Sequence, residues 1–386
     1  MEKWFVAAKR ADFAAWSKKF HISPVTARII RNRDIFSEEE VEKYISGTFL
    51  DMYPPELMVD MEEAAVIIEG KIRKREKLRV IGDYDVDGIM AAHILTKGLQ
   101  ALSADVDTVI PHRVKDGYGL NEQLIEDAFT EGIRTIITCD NGIAAAKQIA
   151  LAVSKDMTVV VTDHHEVPYR EENGQRTELL PAAAAVVDPK REDCTYPYKN
   201  ICGAVVAYKL AALLFRRAGL EPAKKQALLD EFLQLSAVAT VCDVMELLDE
   251  NRIIVKEGLK RLQSKPCEGM RALMEVNGIE SRKLSAYHLG FVLGPCLNAT
   301  GRLDTAARAL SLLSAKDRRS AMQAAEELKE MNDSRKLMTL DGLEKAVAYI
   351  EENHLEQEKV LVVYLSDCHE SLAGIVAGRL REKYGK

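Results

Sequence analysis

An α/β fold, a parallel sheet with helices on both faces, is what this 386-residue sequence predicts. Two observations predict it. From Met61 onward, near-continuous runs of Val and Ile alternate with amphipathic stretches, the pattern of strands buried on both faces. Three of those runs stop at "GDYDVDG", "TCDNG" and "TDHH", acids and imidazoles where ordinary turn residues would do.

Taken in order, the first sixty or so residues read as short helices. "FSEEEVEKYI" offers Ser37 as N-cap with Glu40 three residues on, a capping box, and Pro54 and Pro55 close the region. "KLRVIGDYDVDG" is then a strand ending in acids, and "IMAAHILTKGLQAL" a helix. "VDTVIPHR" and "RTIITCDNG" are strands on either side of the helix "NEQLIEDAFTEG"; "IAAAKQIALAVSK" is a helix and "MTVVVTDHH" a strand. Residues 201–263 look mostly helical. Between Asp317 and about Asn353 there is no Pro and one Gly, Gly342, which predicts a single helix of roughly 55 Å, a connector. "KVLVVYLSD" and "SLAGIVAGRLREKYG" then predict a fresh strand and helix, too little to bury a core, so the sequence is expected to end inside a second α/β domain.

Composition excludes several classes. No apolar run approaches the ~20 residues of a membrane span, and "MEKWFVAAKRADFAAW" has no signal-peptide core, so the reading is cytoplasmic with no membrane partner. The seven Cys are scattered without a C-x-x-C pair, which argues against a disulfide framework or a zinc knuckle. Net charge is −7, yet residues 1–33 hold eight bases and two acids. A basic arm beside an acidic body suits a phosphate ligand if the acids hold divalent cations; it also suits a merely solvated helical face.

Ligands of open α/β sheets bind at the carboxyl ends of strands. There the sequence places Asp83, Asp85 and Asp87, then Asp140, then Asp163, His164 and His165. Carboxylates crowded into one cleft repel, and a divalent cation removes the conflict. Oxygen-rich sites with one or two imidazoles suit manganese or magnesium better than zinc. D-x-D-x-D-G also opens an EF-hand loop, but the twelfth position is Ile94 where Glu is needed, and a strand precedes it. Alone, each cluster also reads as a turn or polar surface. Together they fall on one edge of one sheet.

"DYDVDG", "IPHRVKDGYGL", "ITCDNG" and "TDHHEVP", in this order, resemble the successive motifs of the DHH phosphoesterase superfamily. "ICGAVVAYKL", "ATVCDVMEL" and "LGPCLNATGRLDTA" narrow the resemblance to the RecJ-type single-strand-specific exonucleases. The resemblance implies a phosphodiesterase with two Mn2+ (or Mg2+) that degrades single-stranded DNA from the 5′ end to mononucleotides, in DNA repair and recombination. It implies Asp83, Asp85, Asp87, Asp140, His164 and Asp243 as metal ligands, with Asp140 bridging both ions and Asp83 either a ligand or an orienter. His165 is implied beside the scissile phosphate, with Asp163 behind the imidazoles, and His112, Arg113, Asn298 and Arg302 on phosphate or DNA. Cys296 stands where the resemblance implies Arg. His93, His288, His354 and His369 carry no motif and read as structural.

The implied domains are a helical arm (1–60), a DHH phosphoesterase domain (61–312), the connector helix (313–355) and the start of a DHH-associated domain, cut short (356–386). Implied partners are single-stranded DNA, a single-strand-binding protein and a helicase, with the chain a monomer. The alternative within the superfamily is an enzyme of short oligoribonucleotides, cyclic dinucleotides or pyrophosphate. A DHH-like subunit that has lost its metals is a third reading, disfavoured because every ligand position is filled.

Overall fold

The computed structural model describes residues 3, 5, 9–113, 115–117 and 119–386; Glu2 of the basic arm, and Val114 and Tyr118 of the "HRVKDGYG" motif, lie outside them. The arm comprises α1 (Phe13–Phe20), α2 (Pro24–Asn32) and α3 (Glu38–Ser46) around Trp16, Ala27, Ile30, Ile35 and Val41. The capping box forms at Ser37 and Glu40. Several of the arm's bases are engaged locally: Lys9 pairs with Asp34, Lys19 with Glu38, and Arg28 and Arg31 lie over Phe13 and Phe36.

After α4 (Met61–Arg73), strands and helices alternate as β1 (Leu78–Ile81), α5 (Val86–Ala101), β2 (Val106–Val109), α6 (Glu122–Thr130), β3 (Thr135–Cys139), α7 (Ala146–Ser154) and β4 (Thr158–Thr162). A polar hairpin follows, β5 (Tyr169–Glu172) and β6 (Gln175–Glu178), then the short β7 (Ala185–Val187). The main sheet is wholly parallel in the order β2-β1-β3-β4-β7. The period-two alternation of strand side chains feeds two cores. Val80, Ile137 and Val160 face Ile89, Val205 and Phe232 on one side. Ile81, Ile136, Val159 and Val161 face Ile125 and Ile149 on the other.

Helices α8 (Gly203–Arg217), α9 (Pro222–Cys242), α10 (Asp249–Ser264) and α11 (Glu268–Val276) extend the first core. The next helical turn (α12, Ala286–His288) passes through a π-turn at Leu289–Leu293 into α13 (Gly294–Leu303), followed by α14 (Ala307–Leu313). The expected connector is α15, Arg318–Glu352, capped by Asp317. Its first half buries Ala321, Ala325, Leu328 and Asn332, and its second half Gly342, Ala346 and Ile350 against α16 (Glu370–Tyr384). The strand expected at 359–367 does not form: residues 361–365 have no pairing partner, and Leu361, Val363 and Leu365 lie against the α15–α16 pair instead. A strand exists only through a neighbour's backbone.

Candidate metal centre

Strand register builds the site. Ile81 pairs with Thr138, Cys139 with Thr162, and Thr162 with Val187, so four strands end in line. The chain leaves β1 for β2 on one side and returns to β3 on the other, a topological switch point between β1 and β3. Asp83 and Asp140 emerge there. Asn141 ties the two strand ends, its Nδ2 donating to the Ile81 carbonyl at 3.1 Å and the Cys139 carbonyl at 2.9 Å.

Each acid is aimed by backbone. Asp85 is the N-cap of α5 and accepts from the Gly88 N–H at 3.0 Å. Asp87, in the first turn, accepts from the Gly203 and Ala204 N–H groups at 2.6 and 2.8 Å, so the N-terminus of α8 grips it. Asp140 has the left-handed φ of 59° that follows its strand. A Cβ on Gly203 would lie 2.7 Å from that of Asp140, so only glycine lets α8 approach. Asp243 caps the C-terminal end of α9, followed by Val244 at φ 56°, a strained conformation for a β-branched residue.

The acids and imidazoles converge. His164 Nε2 lies 2.9 Å from Asp140, 3.4 Å from Asp87 and 3.8 Å from Asp243. Among the described residues, three triplets have ligand atoms within 4.8 Å of one another: Asp83, Asp85 and Asp140; Asp87, His164 and Asp243; and Asp140, His164 and His165. The site is electrostatically strained as a set of carboxylates. Burial, then the charge of Asp85, pushes Asp83 up to about 7, and burial, then Asp87, does the same to Asp243. Burial and neighbouring Asp87 raise Asp140 well above the ordinary carboxylate range. Burial holds His164 below the usual imidazole range, hence neutral.

Asp163 stands behind this set. It accepts from the N–H groups of Ile143 (2.9 Å), His164 (2.7 Å) and His165 (3.3 Å), and its Oδ1 meets His165 Nδ1 at 2.7 Å. Burial opposes the charge on both partners, but the pairing wins: Asp163 shifts down and His165 up to about 9. Asp163 therefore charges the outer imidazole, His165, rather than orienting His164.

The donor set fits divalent cations. Five carboxylates and a neutral imidazole crowd a largely buried rim, and among the described residues Asp83 Oδ1 and His164 Nδ1 are buried without a hydrogen-bond partner. Buried polar atoms are rarely left so. Oxygen-rich composition favours Mn2+ or Mg2+.

The other expected residues lie around this rim. Arg113, in the loop after β2, sits over the Tyr84 ring at 4.7 Å. His112 Nδ1 accepts from Lys115 N–H at 3.3 Å within its own loop. Asn298 and Arg302 share α13, four residues apart; Gly301 packs against the Tyr84 carbonyl, and Arg302 Nη1 donates to Ser371 O at 2.8 Å. Cys296 is buried beside Asn277 and Asn332, not on the cleft. Of the motif-free imidazoles, His93 is buried near Glu231, His288 Nδ1 meets Ser285, and His369 caps α16.

One acid was not anticipated. Asp188, at the end of β7, is fully buried, and burial followed by the charge of Asp163 pushes it up to about 7. Its signal was present in "AVVDPK", an acid straight after an apolar run.

The family model of the DHH family, N-terminal domain, matches residues 77–240. The crystal structure of an exonuclease RecJ bound to manganese matches with a TM-score of 0.74 and 32% identity, covering 85% of this chain and 79% of that one. The chain belongs to the RecJ family. The single-stranded-DNA-specific exonuclease RecJ of Bacillus subtilis is 35% identical over 95% of this chain and 44% of its own length. That of Escherichia coli is 32% identical over 94% and 62%. The chain thus spans about half the length of the curated relatives it matches.

Proposed function

We propose that this chain hydrolyses phosphodiester bonds of single-stranded DNA at a two-cation centre, working from the 5′ end and releasing mononucleotides, in repair and recombination. One observation carries the reading: the triplets Asp83, Asp85, Asp140 and Asp87, His164, Asp243, joined by the 2.9 Å approach of His164 Nε2 to Asp140, lie at the switch point of a RecJ-family sheet. Asp140 belongs to two triplets and suits a carboxylate shared between ions. Asp83, Asp85, Asp87, His164 and Asp243 supply the other ligands. When bound, a pair of divalent cations activates water near neutral pH and stabilises both the attacking and the leaving oxygen.

The chain's own residues do the rest. The α8 N–H groups and the N-cap position keep Asp87 and Asp85 from rotating away. Asp163 holds His165 protonated, so that Nε2 has a proton to donate to a phosphate oxygen. Arg113 and Arg302, both close enough to Tyr84 for their charges to act on it, supply bidentate donors to non-bridging oxygens where negative charge grows. His112 and Asn298 add polar contacts along the same strand. A cavity of about 470 Å3 beside His165, floored by Leu120, Gly142 and Ile143, has room for a nucleoside.

The division into arm, catalytic domain, connector and C-terminal element belongs to this proposal, as do a monomeric, cytoplasmic enzyme and its protein partners, a single-strand-binding protein and a helicase. Among the described residues no helix is long and apolar enough to cross a membrane. The deciding assay gives the chain manganese and a 5′-labelled single strand, in parallel with a dinucleotide, a cyclic dinucleotide and pyrophosphate. Mononucleotides released from the strand support the proposal; turnover confined to the small substrates overturns it.

A further inference from the structure

Beside the acids, the chain gathers a second set of like charges. Arg302 lies on α13, whose Gly301 rests against the Tyr84 carbonyl. Arg113 lies over the ring of that same tyrosine, between Asp83 and Asp85. A third guanidinium comes from α15, which packs along α13. Arg335 Nε donates to Asn332 Oδ1 at 3.1 Å, and Asn332, itself buried, reaches across to Cys296 Sγ on α13 at 3.5 Å. Asn332 is thus a fixed post, and Arg335 one turn beyond it lies close enough for its charge to act on Arg302.

Among the described residues, none of these three guanidiniums has a carboxylate within ion-pair distance. Elsewhere Arg79, Arg191, Arg217, Arg261 and Arg308 each pair with acids, and pairing raises their affinity for the proton. Arg302 and Arg335 shift the other way. Burial, followed by the charges of Arg113 and Arg335, lowers Arg302, and burial lowers Arg335. Asp85 is near enough to oppose the shift of Arg302, which joins the cluster to the acid rim. Partly desolvated cations kept together without a carboxylate at ion-pair distance are a poor arrangement for stability and a good one for an anion.

We propose that Arg335, oriented by Asn332, is a third phosphate-binding residue, forming with Arg302 and Arg113 a line of guanidiniums that seats backbone phosphates of the strand adjoining the reactive one. This rests on the function proposed above. Arg335 is a positioning residue: it acts on the strand and not on the reacting atoms.

The test uses the full chain with manganese and a labelled phosphorothioate oligothymidylate that resists cleavage, its affinity measured by anisotropy across a salt series. Arg335→Gln is expected to weaken binding roughly tenfold and to lower the slope of log affinity against log salt by about 0.7, one phosphate contact on a single strand. Arg335→Lys, which keeps the charge, is expected to retain the wild-type slope. A role in packing alone would not move that slope. Arg335→Gln matching wild type in affinity and slope, while wild type cleaves an ordinary strand, overturns the inference and leaves the enzyme standing. So does Arg335→Lys losing the slope as Arg335→Gln does. Should Arg335→Gln unfold, as circular dichroism would reveal, the slope of Arg335→Lys decides alone. Wild type that neither binds nor cleaves the strand overturns both proposals.

Discussion

The two sides of the cleft make the same electrostatic choice with opposite signs. On the strand-end side, Asp83, Asp140 and Asp243 are crowded until their carboxyls resist ionising. On the helical side, burial, joined for Arg302 by the charges of Arg113 and Arg335, leaves the Arg302 and Arg335 guanidiniums holding their protons less firmly. The acids are gripped by backbone N–H groups and strand register, whereas the arginines hang on long side chains from a loop and two helices. Rigid crowding suits cations that demand fixed geometry. Adjustable crowding suits a phosphate chain that must advance.

The comparison can be broken most forcefully at Asp140. Losing a residue that only orients a metal ligand typically costs 10–100-fold, so a shared ligand should cost more. Asp140→Ala is expected to cut manganese-dependent hydrolysis by more than about a hundredfold, and retention of a tenth of the rate would contradict its bridging role. Arg302→Ala, on the other side, should weaken strand binding roughly tenfold and flatten its salt dependence.

Gly203→Ala sharpens the rigid side. Its Cβ meets Asp140 at 2.7 Å, so overpacking should destabilise the fold by about 1–3 kcal/mol in urea titrations and lower manganese affinity with it. Acidity gives a further distinction. Asp83 and Asp243 protonate near pH 7 when folded without metal, against an ordinary 3.8. Their folded values lie above their unfolded ones, so the stabilising contribution is complete below about pH 4 and is lost as pH rises through 7. Melting of the EDTA-treated chain should therefore fall between pH 4 and 7.5, and added Mn2+ should reverse the fall at the upper end. The smallest effect is expected at Val244→Gly, which relieves a left-handed backbone by about 1 kcal/mol.

The sheet edge was readable because doubly buried strands are unbroken apolar runs, and an acid at such an end is conspicuous. β7 escaped because its three residues follow an alanine run that does not read as a strand, so the acid after it, Asp188, was passed over although it follows an apolar run as the others do. The β5–β6 hairpin carried the strongest turn signal available, Asn173-Gly174, but between strands polar on both faces. Residues 359–367 misled for the opposite reason: alternating Val and Leu describe a strand, yet pairing is decided by what lies alongside. Arg335 was invisible, since in a helix crowded with charges nothing in the sequence marks the one that turns inward. The imidazoles divided unexpectedly, because Asp163 reaches the ring two residues ahead of it and not the next one.

The acids and the imidazole of the centre come from positions 83–87, 140, 164 and 243, in that order along the chain. Translation therefore delivers the strand-end ligands first, and Asp243 only after the whole sheet and two long helices have left the ribosome. A nascent polypeptide carries only part of the acidic rim until α9 docks, so the cluster is completed by folding and not by synthesis alone.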